Sequence, residues 1–138
     1  MIMWLGKGRF DFVKDGSILS FCNKNKVRLP MSWRHSCNAV RYHDRRESFN
    51  HWNFKACMAF ELMSRGQTIF TELKLANRHE QPVCDLLWLD ELIVIEFESE
   101  WTVEKARKKL QQFFLFNTFV FDIKRSSLDE MKFKLGLI

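Results

Sequence analysis

Three carboxylates in the middle of the chain are placed where chemistry is possible. Val83 to Leu89 and Leu92 to Glu98 read as strands, and Asp90-Glu91 reads as the two-residue turn between them. Leu89 then faces Leu92, Leu87 faces Val94, and Asp85 faces Glu96. Alternation puts Glu98 on the same face, two residues along, and turns Ile93, Ile95 and Phe97 to the other. Like charges facing one another across a strand pair destabilise a sheet, and a strand as apolar as Leu-Ile-Val-Ile has no packing reason to carry them. A hard divalent cation, Mg²⁺ or Mn²⁺, would compensate, taking one or two carboxylates and keeping water for a substrate phosphate.

The flanking elements must hold this group in place. Phe54, Met58, Ala59 and Leu62 recur at helical spacing between Ser48 and Arg65, and Gly66 supplies a stop. Thr68 to Leu75 reads as a strand ahead of the hairpin. After it, Thr102 is an N-cap, and Val103, Ala106, Leu110, Phe113 and Phe114 make an apolar stripe. A strand at Thr118 to Ile123 and a short helix at 126 to 135 follow. Residues 9 to 29 alternate irregularly around Asp15-Gly16 and Asn23 to Asn25, which predicts two or three short strands ending at Pro30. This order is an α/β arrangement in one domain, with helices packed on a central sheet.

Charge divides the chain in two. Residues 1 to 46 hold ten Lys/Arg against three Asp/Glu, a net +7, whereas residues 47 to 138 hold twelve against fourteen, a net −2. We therefore expect a basic, β-rich N-terminal extension over 1–46 and an α/β core over 47–138. In the extension Lys24, Lys26, Arg28, Arg34, Arg41, Arg45 and Arg46 are interleaved with Trp4, Trp33 and Tyr42, a pattern suited to phosphates and stacked bases. The four cysteines form no C-x-x-C pair, and no Gly-x-Ser-x-Gly, Walker loop or Gly-x-Gly-x-x-Gly occurs. Apolar runs fall short of a membrane span and Met1 to Leu5 lacks a signal-peptide pattern, so a cytoplasmic location and no membrane partner are expected.

Asp85, ten residues, then Glu96-x-Glu98 at the end of an apolar strand resembles the PD-(D/E)xK nuclease superfamily over residues 47 to 123. The resemblance implies a restriction-endonuclease-like core (helix, three-stranded meander, helix, strand) in which Asp85 and Glu96 bind Mg²⁺; the shared strand face adds Glu98 as a third ligand or a water-mediated one. Cys84 stands where a Pro often precedes the Asp, and Glu98 stands in the lysine slot. Some members bring that lysine from the following helix. Lys109 heads a Lys-Leu-x-x-Phe pattern similar to the Lys-Leu-x-x-Tyr of plasmid replication-relaxation proteins, with Lys105 and Gln112 on the same stripe. Glu47-Ser48-x-x-His51-x-x-x-Lys55 is similar to the opening of competence-protein-like (CoiA-like) nucleases, which continue into a strand with a Glu, here Glu72. His51 and Lys55, one turn apart, would look toward the carboxylates or a phosphate. Glu61 is the runner-up for the superfamily's helix-borne acid.

The resemblance implies a metal-dependent nuclease hydrolysing phosphodiester bonds of DNA, with a homodimer as the form that cuts both strands. Glu98 in the lysine slot supports a rival reading, a non-catalytic nucleic-acid-binding or replication-associated module on the same fold. A third is a structural assembly protein of a mobile element.

Overall fold

In the computed structural model, residues 12–25, 48–74 and 82–138 are described. Four antiparallel and parallel strands form one mixed sheet in the order β1 (Ile69–Lys74), β2 (Val83–Trp88), β3 (Ile93–Glu98), β4 (Asn117–Asp122). The first three make an antiparallel meander, and β4 runs parallel to β3 after a helical crossover. The described residues also contain four helices: α1 (Phe12–Lys24), α2 (Phe49–Ser64), α3 (Val103–Gln112) and α4 (Leu128–Lys134). The chain is thus an α/β single domain, and no described helix is long and apolar enough to cross a membrane.

Local chemistry sets the ends of these elements. The Ser48 and Thr102 hydroxyls accept from the amides of His51 and Lys105, starting α2 and α3. Ser127 and Glu130 form a reciprocal capping box on α4. Gly66, at φ 75°, ends α2 in a conformation that favours glycine.

Between β2 and β3 the connection is a 3₁₀ turn over Leu89–Glu91, with Leu92 left-handed at φ 55°. It is pinned to β1 by the Thr68 amide donating to Asp90 Oδ1 at 2.6 Å and the Leu89 amide donating to the Thr68 carbonyl. The expected two-residue turn is replaced, yet the register is the predicted one: Leu87 pairs with Val94 and Leu86 with Ile95.

Each face of the sheet has its own core. Met58, Ala59 and Leu62 of α2 and Met131 of α4 pack on Ile69, Leu86, Trp88, Ile95 and Phe97. Ile18 and Cys22 of α1 join Phe113 and Phe116 over Phe70, Leu87, Leu89 and Val94 on the second face.

Two further expectations are corrected. Residues 12–24, read as strands, form α1, whose Ile18 and Cys22 lie one turn apart and bury together, so that Gly16 is a tolerated helical glycine rather than a turn. The remainder of the 9–29 segment lies outside the described residues. In α3 the stripe read as core is divided: Phe113 is buried, but Val103, Leu110 and Phe114 are exposed. The flank meeting the sheet is Ala106, Lys109 and Phe113.

Candidate active site

The β2–β3 ladder ends at Leu86 and Ile95, and beyond it side chains take over the backbone hydrogen bonds. The Asp85 amide donates to Glu96 Oε2 at 2.5 Å, and the Phe97 amide donates to Asp85 Oδ2 at 2.9 Å. Each carboxylate therefore satisfies an amide of the opposite strand, and the strands are held apart with two acids between them. The β1–β2 pairing is interrupted at the same level. Thr71 pairs with Leu86 and Leu73 with Cys84, which leaves Glu72 opposite Asp85 without a ladder pair and with a left-handed φ of 51°. A non-glycine residue held there costs about 1–2 kcal/mol, and such strain collects at functional sites.

Helices on both faces bring cations to this row. From α2, Lys55 Nζ donates to Glu72 Oε1 at 2.9 Å, and the lysine side chain is fully buried. One turn earlier, His51 Nε2 lies 3.2 Å from Asp85 Oδ2, with its ring edge-on to Phe97. From α3, Lys109 Nζ lies 2.9 Å from Glu96 Oε1. Lys105 Nζ stands 3.9 Å from Glu98 Oε1 and 3.6 Å from Glu100 Oε2.

Electrostatics single out Glu96. Burial, reinforced by the neighbouring Asp85 charge, pushes its carboxyl up to about 8, although Lys109 pulls the other way. Burial works to lower the Lys109 ammonium, but Glu96, Asp85 and Glu98 outweigh it and the net direction is up. Cys84, inside the same group, has its thiol raised by burial and then by Glu96 and Asp85. It is a buried thiol and not a thiolate nucleophile.

The structure thus brings together Asp85, Glu96, Lys109, His51, Lys55 and Glu72. Glu98 belongs to the same strand end but is turned to Lys105. Lys55, expected to face the carboxylates or a phosphate, is buried on Glu72. Glu61 is taken up elsewhere, bridging Arg65 and Lys132, where hydrogen bonds from both lower its carboxyl. Lys24 ends α1 with its side chain exposed. Lys26, Arg28, Arg34, Arg41, Arg45 and Arg46 lie outside the described residues.

Among the described residues, no three His, Cys, Asp or Glu side chains are grouped as a ready-made metal cluster. The donor set that is present, two opposed carboxylates with hard oxygens, fits Mg²⁺ or Mn²⁺. Those ions accept one or two protein carboxylates and complete their shell with water and substrate oxygens. Compared with known proteins, the chain matches no family model, no curated protein and no solved structure.

Proposed function

We propose that the chain is a metal-dependent nuclease built on a restriction-endonuclease-like core, hydrolysing phosphodiester bonds of DNA. One observation carries this reading: Asp85 and Glu96 stand opposed at the splayed end of β2 and β3, and a lysine from the next helix, Lys109, reaches Glu96. Asp85 and Glu96 would hold the divalent cation, which supplies Lewis-acid polarisation of the phosphodiester and a more acidic water. Lys109 places a positive charge beside the carboxylates, where the pentacovalent phosphate gains negative charge. His51 fixes the Asp85 carboxylate from the opposite face. The basic residues of 1–46 would add phosphate contacts.

The test is incubation of the purified chain with labelled single- and double-stranded DNA and RNA, in Mg²⁺, Mn²⁺ or chelator, beside Asp85→Asn. Metal-dependent cleavage lost in the variant supports the proposal, and a chain that cleaves equally well in chelator contradicts it.

The non-catalytic reading is favoured by one specific observation. Glu72, Glu96 and Glu98 each already face a lysine, so the acids are largely balanced by the chain's own cations. Nucleic-acid binding without cleavage in any metal, indifferent to Asp85→Asn, is the outcome expected of that module.

A further inference from the structure

α3 carries its three lysines on one side and its arginine on another. Successive residues of a helix turn by about 100°, so Ala106, Lys109 and Phe113 form the flank on the sheet, where Phe113 is buried and Lys109 meets Glu96. Glu104 and Gln111, both exposed, occupy the side farthest from it. The two remaining flanks differ in kind. One holds Val103, Arg107, Leu110 and Phe114. The other holds Lys105, Lys108 and Gln112, on the side of Glu96 and Glu98, since Lys105 stands by Glu98 and Lys109 borders the same flank.

A helix that merely shows charge to water has its cations at the outermost positions. Here those positions carry an acid and an amide, and three lysines gather along the edge next to the carboxylates. Lys105 is loosely held, 46% exposed and beyond hydrogen-bond distance from both acids beside it.

We propose that the Lys105–Lys108–Gln112 edge of α3 is a phosphate track, along which one strand of nucleic acid runs away from the Asp85–Glu96 site. The identification of the strand as substrate rests on the nuclease reading; the track as a binding surface does not. From Lys105 to Gln112 the helix rises about 10 Å, the axial length of about three nucleotides of one strand. Lysine ammonium groups and a carboxamide suit phosphate oxygens, whereas the opposite flank sets a single cation, Arg107, among exposed apolar Val103, Leu110 and Phe114. None of these three residues belongs to the basic segment 1–46.

The experiment compares two variants that lose the same charge on neighbouring flanks, Lys108→Ala and Arg107→Ala. Both residues are exposed, and circular dichroism checks that the helix persists. Binding of a fluorescein-labelled single-stranded oligonucleotide is followed by anisotropy in chelator, across a salt series, so that cleavage plays no part. Lys108→Ala should weaken binding about fourfold at 0.15 M salt and flatten the logarithmic salt slope by about 0.7, the value for one lost contact to a single strand. Lys108→Ala with Gln112→Ala should weaken it further without changing the slope again. Arg107→Ala should leave the slope as it is.

Equal effects of Arg107→Ala and Lys108→Ala would overturn the track, because only net charge would then matter. Failure of the nuclease reading looks different: the slope difference between the two variants persists, and no metal produces cleavage.

Discussion

Asp85 and Glu96 are each bound to the other's strand through a backbone amide. The Asp85 carboxylate receives the Phe97 amide and the Glu96 carboxylate receives the Asp85 amide. Asp85 is consequently an acceptor that the fold uses and, on the proposed nuclease reading, also a charge that the chemistry would need. The two roles separate by substitution. Asp85→Asn keeps an oxygen for the Phe97 amide and removes the charge, so cleavage should vanish with the unfolding midpoint nearly unchanged. Asp85→Ala should also abolish cleavage, and leaving that buried amide unpaired should cost about 1–3 kcal/mol. Parallel turnover assays and urea titrations of the two variants check this, and full cleavage by either removes Asp85 from the reaction.

Lys109 pairs with Glu96 at 2.9 Å and lies on the same flank of α3 as Ala106 and the buried Phe113. On the nuclease reading Lys109→Ala should lower turnover by about two orders of magnitude or more, with little loss of affinity, because the charge would act on the transition state. Lys109→Arg should recover part of the rate. A rise in KM at unchanged kcat would instead assign Lys109 to substrate holding.

How much of this could be read from residues alone follows from what each signal measures. The Asp85–Glu96 register was legible because apolar alternation on both sides of the turn admits one alignment, and it survived a wrong turn type. Lys109 was legible because the Thr102 cap fixes the phase of α3 and one turn separates Lys105 from Lys109. The orientation of that helix was not. Val103, Leu110 and Phe114 are the more apolar flank, yet the sheet takes the flank with Lys109, since a buried carboxylate draws a lysine inward. α1 was also missed: Asp15-Gly16 has the chemistry of a turn, and only contact with the second core turns Ile18 and Cys22 into a helical pair. Glu72 carried a family resemblance but no sign of its left-handed backbone.

The Glu96 carboxyl, pushed up to about 8 from an ordinary value of 4.5, makes the stability of the fold depend on pH. Between those values the folded chain holds a proton that the unfolded chain has released, so this group destabilises the fold progressively as pH rises from about 4.5 to about 8. In chelator, Glu96→Gln should therefore match the parent near pH 4.5 and be the more stable of the two at pH 8. Denaturant titrations at several pH values measure the difference. A divalent cation reverses the balance, because it requires the ionised form. Mg²⁺ or Mn²⁺ binding should strengthen about tenfold per pH unit as pH approaches 8, then level off. Calorimetry in buffers of different ionisation enthalpy should record proton release. Binding that is flat over this range would place the cation away from Glu96.

Lys55 and Glu72 are the part of the row closed to solvent on the lysine side, and this makes a structural role for Lys55 testable against a substrate-binding one. Removing one member of a buried pair leaves the other charge uncompensated, at a cost of about 3–5 kcal/mol, whereas replacing both with neutral groups of similar shape is often neutral or favourable. Lys55→Met should accordingly be strongly destabilising, and Lys55→Met with Glu72→Gln should regain most of the loss, as measured by chemical denaturation. Activity then decides what Glu72 does beyond pairing. Its strained backbone sits directly opposite Asp85. If the double variant folds and cleaves like the parent, the pair only braces β1 against α2; if it folds but cleaves at least tenfold more slowly at unchanged KM, Glu72 helps hold Asp85 in place for the cation.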